Sequence, residues 1–337
     1  MASVHLLSAA SLAADPWDYA FDDLERMRRS ATQDRFGIHA LTDFPEQADI
    51  ILFVENCDPI RHYFEVRQHP VYQKHRDRCF LFSRHDYPVP FLPGVYASIP
   101  NRWYAPTRTR SGLYLNAFDH PFISYDPTPT PRKYLFSFIG QASTHPLRSK
   151  IMDLPDKDGF LFDTTAYWPY ADLPAETQKA LEAQYVDTAQ QSKFVLCPRG
   201  RGVSSIRLFE MMRMGRAPVI ISDDWIAPTG PDWSSFSIRV AEADLPRLPS
   251  LLRNRADDAE DMGRQARLCW EDWFSEEATF HRVVNWCLDL KEAAPSAAGH
   301  PIIEVLPQLL HPQYLKTFLR TGYERLRAHA PASLSPA

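Results

Sequence analysis

The chain has 337 residues, 45% hydrophobic and 23% charged, with a formal net charge of −5. That length admits two domains of ordinary size, and the charge balance excludes the bulk basic field of a nucleic-acid or anionic-membrane binder. No run of about 18 apolar residues marks a membrane span. The five cysteines, odd in number and without CxxC spacing, argue against a disulfide framework or zinc site and fit a reducing compartment.

The opening MASVHLLSAASLAADPWDYAF has no basic n-region, and His5 interrupts its short apolar part. Residues 4–7 therefore read as a first strand rather than as part of a signal peptide. Residues 22–30 follow a helix pattern. Residues 49–55 (DIILFVE) are nearly all apolar, as expected of a parallel strand covered on both faces. Glu55, Asn56 and Asp58 follow it, at the strand end where open α/β sheets gather ligands. Residues 62–76 read as helical. Residues 78–83 (RCFLFS) form another strand, closed by Arg84, His85 and Asp86. Residues 87–132 are rich in proline and aromatics and read as irregular structure and short strands running into a linker at 125–131 (YDPTPTP).

A second strand–helix series starts at Arg132. Strands are expected at 134–139, 160–163, 194–197, 218–222 and 235–240. Helices are expected at 147–154, 173–189, 203–214, 245–253, 257–273, 279–290 and 312–328. Two such series imply two doubly wound units facing a cleft: an N-terminal unit at 1–130, a second at 131–290, and a helical tail at 291–337 that packs back on the first. Trp270, Trp273, Phe274, Phe280 and Trp286 read as core packing.

The segment 193–224, KFVLCPRGRGVSSIRLFEMMRMGRAPVIISDD, carries the most chemistry. A strand runs to Pro198, and Gly200 and Gly202 let the backbone approach a bulky ligand. Ser204 or Ser205 suits the N-cap of the next helix, whose start favours phosphate. Arg199 lies in the turn. Arg207 adds a bidentate cation, and Glu210, on the same face, can accept a ribose diol. The same pattern also describes a capped helix with a surface ion pair. There is neither GxGxxG nor GK[ST] spacing, so neither a dinucleotide fingerprint nor a P-loop is supported.

These residues resemble the signature half of exostosin-type glycosyltransferases. The resemblance rests on Ser205-Ile206-Arg207-Leu208-Phe209-Glu210, on Gly215 to Ile220, on Ser222-Asp223 and on the strand from Trp233 to Ile238. Upstream it continues through the run from Lys133 to Gly140, Arg148, Pro45 to Ile50, and His85-Asp86. It covers roughly residues 41–290 and is strongest over 132–252. Arg216 stands where the family usually has Cys, and Pro228-Thr229 replaces a Pro-Phe.

The resemblance implies a GT-B fold and inverting transfer from a nucleoside diphosphate sugar, commonly a UDP-sugar, to a glycan or small-molecule acceptor. It implies a donor site of Gly140, Arg148, Arg199, Gly200, Ser204, Ser205, Arg207 and Glu210. Arginines and the helix start would stabilise the leaving diphosphate, so neither metal nor cofactor is expected. Asp223-Asp224 lack DxD spacing and read as loop residues.

Inversion needs a general base. Asp86 is the first candidate, with His85, Glu55 and Asp58 behind it; each is also an ordinary strand-end residue. Trp103, Tyr104, Tyr114, Phe118 and Tyr125 are candidates for stacking on sugar rings, or for packing. The expected setting is cytoplasmic, peripheral at most to the inner face of a membrane, with no nucleic-acid partner. Two other classes fit the pattern less well: a non-catalytic nucleotide-sugar-binding scaffold, against which intact Arg207 and Glu210 speak, and a two-domain sugar-nucleotide epimerase.

Overall fold

A computed structural model describes residues 1–10, 20–56, 59–128, 130–155 and 157–293, with isolated positions 310, 315 and 319. Asp58 and nearly all of the expected helix at 312–328 lie outside the described residues, as does most of the tail.

The N-terminal half contributes β1 (Ser3–Leu7), α1 (Ala20–Thr32), β2 (Ala40–Leu41), β3 (Ile50–Glu55), α2 (Pro59–Gln68), α3 (Pro70–Lys74), β4 (Cys79–Ser83), β5 (Gly94–Tyr96) and β6 (Thr109–Ser111). Its six strands form one sheet in the order β2-β1-β3-β4-β5-β6, and every pairing is parallel. All six residues of β3 are buried, which explains its unbroken apolar run: helices and loops cover both faces. The expected single helix at 62–76 is broken. Pro70 starts α3, and the His69 ring accepts from Val71 N at 3.3 Å to cap it.

The second half contributes β7 (Tyr134–Gly140), α4 (Pro146–Met152), β8 (Gly159–Asp163), α5 (Ala175–Gln190), β9 (Ser192–Pro198), α6 (Ile206–Met214), β10 (Ala217–Ile221) and β11 (Ile238–Arg239). Then come α7 (Leu248–Asn254), α8 (Ala259–Cys269) and α9 (Glu276–Ala293). The sheet order is β11-β10-β9-β7-β8, again parallel throughout. Two Rossmann-like sheets are the arrangement expected of a GT-B fold. The strand expected at 235–240 shrinks to Ile238–Arg239, because Asp232 caps a 3-10 turn over Trp233–Ser235.

The order of the second sheet fixes where a ligand goes. From β7 the chain steps outward to β8, then returns through α5 to β9 on the other side of β7. The crevice at the carboxyl ends of β7 and β9 is thus a topological switch point. The helix α9 leaves the second half and packs on α1. Arg29 Nε donates to Glu276 Oε1 at 2.7 Å, and Ser30 Oγ donates to the Glu276 carbonyl. The two halves also meet where Asn101 N donates to Asp224 O at 3.2 Å. No helix among the described residues is long and apolar enough to cross a membrane.

Candidate donor cleft

A cleft of about 350 Å³ opens at the β7/β9 switch point. Its floor is made by Gly140, Arg148 and Arg207. Arg207 sits on the first turn of α6 and is 8% exposed. Its guanidinium donates to the Ile139 carbonyl and lies 4.6 Å from the centre of the Phe138 ring. Gly140 leaves room for the guanidinium: a Cβ would meet Arg207 Nη2 at 2.8 Å. Arg148, from α4, reaches across to β9. Its Nε donates to Arg199 O at 2.9 Å, its Nη2 to Pro198 O at 3.3 Å and its Nη1 to Gln141 O at 3.4 Å.

Neither arginine has a carboxylate ion-pair partner among the described residues. Burial, and behind it the charge of Arg207, pulls the Arg148 guanidinium down to about 9. One buried and one half-buried cation, hydrogen-bonded to carbonyls and set against ring faces among the described residues, make a site that an anion would neutralise.

The glycine turn works differently from the expectation. A Cβ on Gly200 would meet Arg148, and one on Gly202 would meet Ser98 Oγ at 2.3 Å and Asp86 Oδ1 at 2.9 Å. Both glycines make room for side chains of this protein. Ser205 occupies the N-cap position of α6, yet its hydroxyl makes no cap bond. Ser204 donates its backbone N–H to Ser98 Oγ at 3.2 Å. Helix α6 ends at Gly215, in the left-handed region at φ 69°, where Arg216 N bonds Met211 O at 2.8 Å.

Arg199 turns away from the cleft floor, toward Asp224 at 3.7 Å and Glu242 at 3.9 Å. Asp223 accepts from Glu242 N at 3.0 Å, so both aspartates are loop residues. Glu210 is buried and accepts from the Tyr185 hydroxyl at 2.6 Å. It does not line the cleft, whereas Tyr185 does. Burial, then the Glu210 charge, raises the Tyr185 phenol well above its ordinary value and keeps it a donor.

Of the candidate bases, Glu55 is committed at the switch point of the first sheet. It accepts from Ala9 N at 2.6 Å and Ser8 Oγ at 2.9 Å. His85 accepts from Tyr87 N at 3.0 Å. Asp86 accepts from Tyr114 OH at 2.9 Å and faces Gly202. None of the three lines the cleft.

The cleft residues that the sequence reading missed are His120, Tyr167, Trp168, Tyr170, Glu182 and Tyr185. Their segments carry no motif; only their place beside β7 and β8 reveals them. The aromatics proposed for stacking are elsewhere. Tyr114 is buried against Asp86, Phe118 packs edge-on to Trp270, and Tyr125 lies under Gly215 and Arg267. Trp103 and Tyr104 pack on the first core.

The sequence model of the exostosin GT47 domain matches residues 116–255, which span the whole cleft. This stretch is similar to an exostosin GT47 domain. An exostosin-1 homolog of Caenorhabditis elegans is 32% identical over 156 residues, 41% of this chain and 41% of the relative. A probable glucuronosyltransferase of Oryza sativa subsp. japonica is 32% identical over 169 residues, 49% of this chain and 34% of the relative. The chain thus spans well under two thirds of the curated relatives it matches. A MurG structure from Acinetobacter baumannii aligns over 85% of this chain and 99% of its own, with a TM-score of 0.36 and 10% identity. The matched stretch starts upstream of β7 and so includes His120, which lines the cleft. Arg216, at the position where Cys is usual, is buried and shares Glu260 with Arg132. That departure touches packing, away from the cleft.

Proposed function

We propose that the protein is an inverting, metal-independent glycosyltransferase that moves a sugar from a nucleoside diphosphate, UDP favoured, to a glycan or small-molecule acceptor. The observation that carries this is the convergence of half-buried Arg148 and buried Arg207 on one cleft, neither of them ion-paired to a carboxylate among the described residues. When the bond between the anomeric carbon and the diphosphate breaks, negative charge grows on the leaving oxygens. Two preorganised guanidiniums stabilise that charge more in the transition state than in the ground state.

The base is assigned to Asp86. It lies in the loop after β4 in the first half and meets the donor-side turn at Gly202, so an acceptor bound between the two halves presents its hydroxyl to it. Asp86 takes the hydroxyl proton as the acceptor oxygen attacks the face of the anomeric carbon opposite the diphosphate. The Tyr114 hydroxyl holds one carboxylate oxygen in place. The test is thermal shift and nucleotide release with UDP-, GDP-, dTDP- and CMP-sugars, each with and without EDTA. UDP-sugars should raise the melting temperature in EDTA as well as without it. If no nucleotide sugar stabilises the protein, the reading fails.

A further inference from the structure

We propose a second ligand site on this chain: a groove at the open edge of the second sheet that binds an acidic saccharide chain, with sugar rings against Trp233 and carboxylates at Arg239 and Arg255. The groove lies outside the donor cleft and shares no lining residue with it.

Its volume of about 630 Å³ is within the range of ligand pockets. It runs beside β11, the edge strand, between the segment after β10 and the C-terminal end of α7. Two indoles form its wall: Trp225 and Trp233 meet edge to face, ring centres 5.0 Å apart. Trp233 is half-buried. Trp225 is 3% exposed, and its indole N–H has no hydrogen-bond partner among the described residues. A buried donor left unmade costs free energy, and a ligand oxygen in the groove can supply the missing acceptor. The wall is fixed before a ligand arrives. Trp233 Nε1 donates to Pro228 O at 2.9 Å, and Trp286 Nε1 donates to Thr229 O at 3.1 Å. Gly230, at φ 123°, passes under Trp273, which a Cβ would strike. Such preorganisation lowers the ordering cost of binding. Indole surface beside hydrogen-bond donors suits a pyranose, whose C–H face is apolar and whose oxygens accept.

Charge selects the kind of saccharide. Among the described residues the lining holds two guanidiniums and no carboxylate. Arg239 has no ion-pair partner there. Its Nη2 donates to the carbonyls of Ser222, Asp223 and Trp225 at 3.2, 3.1 and 2.9 Å, which fixes the side chain. Arg255 pairs with Asp258 at 2.5 Å, but both side chains are exposed, so the pair is weak. Asp232 is turned back on Ser234, accepting from its N at 3.1 Å and its Oγ at 2.6 Å. A ligand carboxylate therefore meets positive charge in the groove. An extended peptide is the other common occupant of a sheet edge, but β11 has only two residues and offers little ladder.

Calorimetry on the full chain with tetragalacturonate, maltotetraose and tetraglutamate tests this. Tetragalacturonate should bind, and maltotetraose and tetraglutamate should bind about tenfold or more weakly. Saturating UDP should not displace tetragalacturonate. Arg255→Glu, at the exposed end of α7, should weaken tetragalacturonate about tenfold with an unchanged melt. Trp233→Leu, checked by its melt, should weaken it by a similar factor. The proposal is overturned if tetragalacturonate fails to bind, if Arg255→Glu leaves its affinity unchanged, or if UDP competes with it. Equal binding of tetraglutamate would overturn the saccharide assignment. Failure of UDP to bind would overturn the donor reading instead and leave this groove standing.

Discussion

Arg148 stands where a side chain on Gly200 would have to be: a Cβ there would lie 2.9 Å from its Nη2 and 3.3 Å from its Cζ. The glycine is the seat of the arginine. Gly200→Ala should therefore displace the flexible guanidinium rather than the backbone. Diphosphate affinity should fall about tenfold, while the melting temperature moves by no more than about 2–4 °C. Calorimetry with pyrophosphate beside a thermal melt checks both; intact affinity would mean that Arg148 does not hold the ligand from its observed position.

Arg207 is buried with its Nε unpartnered. A buried cation without a counter-charge destabilises the unliganded fold. Arg207→Met should leave the melting temperature unchanged or raise it, while transfer falls by about 10²–10³. Stability and activity moving in opposite directions is the signature of a group kept for its ligand.

The depressed Arg148 has a pH consequence. Its folded value, about 9, lies below the ordinary guanidinium range, so between the two the unfolded chain holds the proton more tightly. The destabilisation caused by burying this charge is therefore fully present below pH about 9 and is relieved as pH rises above it. Diphosphate binding needs the protonated form. Affinity should weaken as pH rises through about 9, and binding near that pH should take up a proton. Titration in two buffers of different ionisation enthalpy reads that uptake; equal heats in both would contradict it.

How much of this was legible from the residues depends on which residues carry sequence patterns. The strands of both sheets showed as apolar runs, because parallel strands buried on both faces have little choice of residue. Arg148 and Arg207 were legible through their motif spacing. Arg199 and Glu210 belong to the same motif, but tertiary contacts turn one toward Asp224 and bury the other behind Tyr185. The aromatic wall was not legible. Trp168 and Glu182 sit 14 residues apart on a loop and a helix, and only the return of α5 beside β7 brings them to one cleft. Gly200 and Gly202 stood out as places needing space, but that Arg148 sits against one and Ser98 and Asp86 against the other is set by tertiary contacts.

A chain of polar side chains on α9 gives a separate expectation about acid. His39 Nε2 lies 3.1 Å from Asn285 Oδ1, and Asn285 Nδ2 lies 2.8 Å from His281 Nε2. The Nδ1 atoms of both rings are buried without partners. Burial lowers both imidazoles below 6.5, with Asp34 acting against it and Arg282 and the N-terminus among the opposing charges. As pH falls through 6.5 the unfolded chain protonates first. The stability of the α9 contact is thus present above that value and is lost as pH falls toward the folded values. The melting temperature should drop between pH about 7 and about 5.5, and His39→Gln should shrink the drop. An equal drop in the variant would remove His39 from the account.

The central claim is that two arginines, without a metal, hold a nucleoside diphosphate. The most direct measurement is UDP affinity in EDTA for the wild type and for the Arg148→Met/Arg207→Met double variant, each confirmed folded by its melt. The wild type should bind UDP with the same affinity with or without EDTA, and the double variant should lose about 10²-fold or more. Equal affinity in the two proteins, or loss of wild-type binding in EDTA, would contradict the claim.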